Sequence, residues 1–156
     1  MKIPPIIPLI IGTGFGSGFW PWGPGTAGSL TGVILWYVLS LFLSPVHLFY
    51  ATLSGILLFT LSGTWATGQL MPYWGDDPKK VVIDEIAGVW IPLTAVSSTD
   101  YTAILASLIL FRLFDIFKPL GIKALDKKKG AFFVMADDLM AGLYSLAVIM
   151  IAQWII

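Results

Sequence analysis

The sequence predicts an all-α fold, a polytopic membrane helix bundle with about five spans and a glycine-rich N-terminal loop. Three observations predict it. Hydrophobic residues make up 57% of the 156 and charged residues only 12%, about half the ~25% usual in soluble domains, and mean hydropathy is +0.87. So few charges cannot cover a water-facing surface. Five apolar segments approach the roughly 20 residues that cross a bilayer. Threaded in order, those segments put all nine Lys and Arg on one side. The length fits a single domain, residues 1–156.

Taken from the N-terminus, Met1-Lys2 precedes a stretch in which Pro4, Pro5 and Pro8 interrupt any continuous helical core, so a cleaved signal peptide is not expected. A glycine-rich run follows, Gly12-Thr13-Gly14-Phe15-Gly16-Ser17-Gly18, leading through Trp20 and Trp22, which suit an interfacial belt, to Gly25-Thr26-Ala27-Gly28-Ser29. The first two spans, Ala27 to Leu43 and Leu48 to Leu70, are parted by Ser44-Pro45, with Pro45 suited to a helix start. Ser54, Gly55, Thr60, Ser62, Gly63, Thr64, Thr67 and Gly68 give the second a small-residue packing face. Spans three and four, Val81 to Val96 and Tyr101 to Phe117, are parted by Ser97-Ser98-Thr99-Asp100, a run of N-cap residues. The fifth is Leu139 to Ile156, and the stretches Met71 to Lys80 and Lys118 to Asp138 read as polar connections. The third span is short and opens with acids, so it is expected to be sheltered by its neighbours. The alternative is fewer true spans, with one or two apolar helices lying within the bundle.

Lys2, Lys79, Lys80, Arg112, Lys118, Lys123, Lys127, Lys128 and Lys129 share a face, while the other carries only His47 and Asp100. The positive-inside rule makes the basic face cytoplasmic, with the N-terminus inside and the C-terminus outside. A net charge of zero argues against nucleic acid as a partner. No cysteine and a single histidine exclude thiolate nucleophiles, zinc–thiolate sites, catalytic triads and multi-histidine metal sites. Chemistry must fall to carboxylates, hydroxyls, lysine and arginine.

Eight of the nine acids lie on the basic side. Asp84-Glu85 opens the third span and Asp137-Asp138 the fifth. Asp115 sits three residues after Arg112 and three before Lys118, on one broad helical face. Charge at membrane depth is costly and tends to face the bundle interior, paired or ligand-bound. The two acidic pairs with Asp115 therefore form a candidate oxygen-ligand cluster for a hard cation such as Mg²⁺. Simple capping of helix starts is the competing reading of each pair, and snorkelling suits Lys118 better than Arg112, which has apolar neighbours. Gly25, Thr26 and Ser29 could offer backbone and hydroxyl donors to phosphate at a helix start, or belong to a glycine-rich re-entrant turn. Lys127-Lys128-Lys129 reads as a solvated loop, Asp76-Asp77-Pro78 as a turn, and Asp126 has no assignable role.

The motifs Gly14-Phe15-Gly16-Ser17-Gly18, Pro24-Gly25-Thr26-Ala27-Gly28-Ser29, Asp77-Pro78, Val82-Ile83-Asp84-Glu85-Ile86-Ala87-Gly88, Phe111-Arg112-Leu113-Phe114-Asp115-Ile116-Phe117-Lys118-Pro119 and Met135-Ala136-Asp137-Asp138-Leu139-Met140-Ala141-Gly142 occur in that order. On them the chain resembles the phosphatidylglycerophosphatase A family over nearly its whole length. The resemblance implies a Mg²⁺-dependent enzyme of the bacterial inner membrane that converts phosphatidylglycerophosphate to phosphatidylglycerol and inorganic phosphate. It puts the family's acidic positions at Asp84, Glu85, Asp115, Asp137 and Asp138 and its basic ones at Arg112 and Lys118. The expected roles are catalytic acids at Asp84, Glu85, Asp115 and Asp138, a metal set at Asp84, Asp137 and Asp138, and phosphate contacts at Arg112 and Lys118, joined by Gly25, Thr26 and Ser29 at the helix start. Glu85 and Asp115 are alternative bases toward water, and direct attack by a carboxylate is a further alternative. One departure stands out. Members often approach the last acidic pair through glycines, whereas Gly130 is followed here by Ala131-Phe132-Phe133-Val134. The rival from another class is an ion-coupled membrane transporter using the intramembrane carboxylates, although no internal repeat is visible. Oligomeric state is not legible.

Overall fold

A predicted helix start at Pro45 and a predicted cap before Tyr101 begin two helices. Ser44 Oγ accepts from the His47 amide ahead of Pro45, and Asp100 accepts from the Ala103 amide at 2.9 Å ahead of Tyr101. The computed structural model describes residues 3–155; Lys2 and Ile156, to which the topology and the fifth segment extend, lie outside them. Among the described residues there are seven α-helices and no strand: α1 (Ile6–Gly12), α2 (Pro24–Ser40), α3 (Pro45–Trp74), α4 (Ile83–Leu93), α5 (Tyr101–Phe117), α6 (Ile122–Asp126) and α7 (Ala131–Ile155), with a single 3-10 turn at Ser17–Phe19.

Helix lengths separate two kinds of element. At 30 and 25 residues, α3 and α7 are long and apolar enough to cross a membrane. Helices α2 and α5 have 17 residues each, about 26 Å at 1.5 Å per residue. Helix α4 has only 11, about 16 Å, roughly half the hydrocarbon thickness. It is sheltered by its neighbours, as expected of the short third segment, with every residue but Glu85 buried against α2, α3, α5 and α7.

Glycines let these backbones approach. A methyl added at Gly28 or Gly32 of α2 would press into Val82 or Val89, and one at Gly63 of α3 into Ile83 and Met135. Gly142 of α7 lies against the Gly88 carbonyl of α4. Indole donors lock the interfaces: Trp90 Nε1 bonds the Gly32 carbonyl at 2.7 Å, and Trp36 Nε1 bonds Thr52 Oγ1 at 2.9 Å. Phe59 meets Trp90 edge to face at 4.9 Å.

Several boundaries differ from the sequence reading: α2 starts at Pro24, ahead of Ala27, and α3 runs on past Leu70 to Trp74, into the expected polar connection. Ile6–Gly12 is a short helix despite Pro8, which falls in its first turn, where no intrahelical N–H bond is due. Helix α7 begins at Ala131, eight residues before Leu139, because the apolar run 131–135 packs as helix through Met135 instead of forming a polar connection. Between α1 and α2 the chain turns back on itself. Gly14, Phe15 and Gly16 have φ of 53°, 58° and 95°, and this tight turn docks on the linker before α4: the Val82 amide bonds the Gly12 carbonyl at 2.8 Å, and Gly18 abuts the Lys80 carbonyl.

Candidate active site

Three helices bring acids to one end of the bundle. Asp84 and Glu85 occupy the first turn of α4, as expected. Asp137 and Asp138 are the seventh and eighth residues of α7, two turns inside it, so they cap nothing. Carboxylate oxygens of Asp84, Glu85 and Asp138 lie within 4.8 Å of one another, and Asp84 and Asp138 are only 8% and 4% exposed.

The last turns of α5 supply the cations. Arg112 Nη1 donates to Asp115 at 2.5 Å, lies 3.9 Å from Glu85 Oε1, and reaches Ser29 Oγ of α2 at 3.5 Å. Ser29 in turn donates to the Gly25 carbonyl at 2.8 Å. Gly25 has no side chain where one would strike the Glu85 carboxylate and sit 3.0 Å from the Arg112 guanidinium. Lys118 ends α5 in the left-handed region, φ 47°, and donates to Asp137 at 2.6 Å and to Asp126. Burial pulls the Lys118 ammonium down, but its bonds to Asp126 and Asp137 outweigh that and hold it above its ordinary value.

The structure thus regroups the predicted residues. Asp84 and Asp138 stand with Glu85, whereas Asp137, expected among the metal ligands, is engaged by Lys118. Asp115, Arg112, Gly25 and Ser29 are at the site. Thr26 is not: it is exposed and lines a separate groove on the outer face of α2. Asp126, unassigned in the sequence, proves to be a partner of Lys118. Lys79, Lys127 and Asp76 join the rim of a cavity of ≈ 300 Å³ that Asp84, Glu85, Asp115, Asp137 and Asp138 line. Nothing in the spacing of these residues points to the rim, because it is assembled from two loops, residues 75–82 and 127–130.

Asp84 and Asp138 have no cationic side chain within ion-pair distance among the described residues, and buried Glu85 Oε2 and Arg112 Nε have no hydrogen-bond partner. Burying carboxylates so close together costs several kcal/mol per ion, at the order-of-magnitude level, without a compensating charge. An all-oxygen set of this kind fits a hard divalent cation, and the orphaned Glu85 oxygen supplies a free ligand atom.

Fold and site define an apolar helical bundle whose buried cleft sets a carboxylate cluster beside an arginine and a lysine, the groups that recognise phosphate. The family model described as Phosphatidylglycerophosphatase A matches residues 10–153, and the chain belongs to that family. It is a phosphatase, which removes the transporter alternative. It is 36% identical to the phosphatidylglycerophosphatase A of Haemophilus influenzae, over 93% of this chain and 88% of that one. With the Escherichia coli protein of the same name it shares 32%, over 90% and 80%. It is also 48% identical, over 100% of this chain and 99% of the relative, to a Bacteroides thetaiotaomicron protein named "Putative phosphatidylinositol-3-phosphatase". No solved structure matches the chain.

Proposed function

We propose that the chain, as one integral-membrane domain, hydrolyses phosphatidylglycerophosphate to phosphatidylglycerol and inorganic phosphate at the cytoplasmic face of a bacterial inner membrane. The observation that carries the reading is the Asp84–Glu85–Asp138 cluster with its orphaned oxygen, one side chain away from Arg112. The names of the Haemophilus and Escherichia relatives supply the substrate. For topology, the support is that Lys79, Lys118 and Lys127 to Lys129 border one cavity, while His47 and Asp100 lie at the starts of α3 and α5, the far end. Five passes with the N-terminus inside fit that arrangement, α4 and residues 94–100 completing the third.

Asp84, Glu85 and Asp138 would hold Mg²⁺, with Asp137 positioning Lys118. When bound, Mg²⁺ supplies Lewis-acid polarisation of the phosphoryl oxygens. Arg112 grips the terminal phosphate in bidentate fashion, and Lys118 leaves Asp126 to neutralise a second oxygen. With Glu85 committed to the metal set, Asp115 is the base that takes the proton of the attacking water, while Arg112 fixes its orientation. The N-terminal turn of α2 narrows at Gly25 and gives the phosphate room beside Arg112.

The test is phosphate release by the purified protein in detergent micelles, with Mg²⁺ and then with EDTA, for wild type and Asp84→Asn. Release that needs Mg²⁺ and is lost in the variant is expected; Mg²⁺-independent release would overturn the metal assignment. A second reading, favoured by the name of the 48% identical relative, keeps the same site and takes phosphatidylinositol 3-phosphate. Assaying both lipids side by side decides it by the ratio of kcat/KM.

A further inference from the structure

A cavity larger than the acidic cleft lies outside it. It is a groove of ≈ 660 Å³ between the 3-10 turn and the outer face of α2, lined chiefly by Phe19, Trp20, Trp22, Thr26, Leu30 and Ile34. Trp20 and Trp22 form its lip, edge to face at 5.8 Å, and both are exposed. Along α2 the groove runs from Gly23 to Ile34, about 17 Å at the helical rise.

Its position relates it to the catalytic cleft. Gly25, Gly28 and Gly32 face inward, toward Glu85, Arg112 and α4, while Thr26, Leu30 and Ile34 lie on the opposite side of the same helix. The two meet at the tip of α2, where Gly23 lines the groove and Gly25 abuts Glu85 and Arg112. Around that tip, in one turn of helix, lie a cationic, carboxylate-lined cleft and a long apolar trough with an aromatic lip. Chemically, such a pair of surfaces suits the two ends of one amphiphile. At that tip the missing side chain of Gly25 brings the Glu85 carboxylate and the Arg112 guanidinium against the α2 backbone, within a few residues of the groove's lip.

We propose that this groove receives an acyl chain of the phosphate-bearing lipid substrate, with its headgroup crossing the Gly23–Gly25 tip to reach Arg112. The proposal rests on the lipid-phosphatase reading of the cleft and adds where the lipid's tail is held. Bulk lipid covers every outward face of a membrane bundle, so the distinguishing expectation is coupling: groove occupancy depends on the phosphate.

Two measurements test it. In mixed micelles, Thr31→Trp, which fills the groove, is compared with Val38→Trp on the same helix beyond it, using dioleoyl phosphatidylglycerophosphate and its deacylated, water-soluble headgroup. Thr31→Trp should lower kcat/KM about tenfold or more for the diacyl lipid, mainly through KM, the range reached when a pocket excludes a fitting apolar group. It should leave the headgroup ester unchanged, and Val38→Trp should alter neither. Equal effects on both substrates, or none, overturn the proposal. Should Thr31→Trp not fold, wild-type protein in EDTA is photolabelled with the diacyl substrate carrying a diazirine midway along one chain, and in parallel with the same lipid lacking the terminal phosphate. Preferential labelling of residues 19–34 by the phosphorylated probe is expected; equal labelling by both probes, or labelling spread over α3 and α7, refutes it. Groove labelling by a protein that hydrolyses neither substrate would overturn the substrate reading and not the groove.

Discussion

Gly88→Ala should damage the site from a position that touches no substrate. A methyl at Gly88 would lie 2.5 Å from Phe111 Cε2 and 2.7 Å from the main-chain carbonyl of Asp138. The ring can turn aside, but the carbonyl belongs to α7 and cannot. It must withdraw by about 0.7 Å to reach the 3.4 Å of an ordinary contact. Asp84 stands one helical turn before Gly88 on α4, and Asp138 is itself the residue displaced, so the separation passes directly to the carboxylate cluster. Overpacking of this size costs roughly 1–3 kcal/mol, and a misplacement near 1 Å costs on the order of 10²-fold in turnover. Phosphate release across a Mg²⁺ titration, with thermal unfolding of the detergent-solubilised protein, reads both effects. Gly68→Ala is the control, since its methyl would meet only the Ala131 Cβ, at 3.6 Å. A Gly88→Ala enzyme with wild-type rate and Tm would refute the claim that main-chain contact between α4 and α7 sets the cluster.

Three further outcomes are expected. Asp138→Asn should reduce phosphate release to background while Tm holds or rises, because one charge leaves a crowded cluster; retained activity would remove Asp138 from the metal set. Lys118 has a raised pKa in the folded state, so its stabilising charge is complete below the unfolded value of ~10.4 and fades only as pH passes the higher folded value. Lys118→Met should therefore lower the rate by the same factor throughout the neutral range, whereas a pH-dependent deficit there would contradict the assignment. Gly18→Ala would force a methyl into the Lys80 carbonyl; the expected loss is about 1–3 kcal/mol, read as a lower Tm and faster proteolysis of the N-terminal turn.

What could be read in the sequence was whatever depends on near neighbours along the chain. The run Ser97 to Asp100 placed the start of α5 because capping is a contact between residues three apart, and Pro45 marked the start of α3 because its fixed φ and missing N–H suit the first helical position. The acids and Arg112 stood out because charge in an apolar segment has few explanations. Which member of each acidic pair faces inward was not legible. Consecutive helical residues point about 100° apart, so Asp138 meets Asp84 and Glu85 while Asp137 meets Lys118, and the choice depends on how α7 is rotated in the bundle. Asp126 was hidden for another reason. Its contact with Lys118 spans a turn in which Lys118, Leu120 and Gly121 all have positive φ, a path that spacing does not reveal. The start of α7 was misplaced because polar neighbours on both sides masked the short apolar run 131–135.

The burial of α4 has a consequence for how the protein is made. A helix of 11 residues that opens with two acids is a poor passenger for a bilayer on its own, since it is too short to span and charged at its leading end. It gains a stable place only when its neighbours enclose it, and the last of these, α7, brings Asp138 and the Gly142 contact with it. Until that helix docks, the nascent chain holds two acids of an unfinished cluster. The order of synthesis therefore leaves completion of the cluster to the final assembly step, and a chain cut short before α7 lacks Asp138 and is expected to release no phosphate.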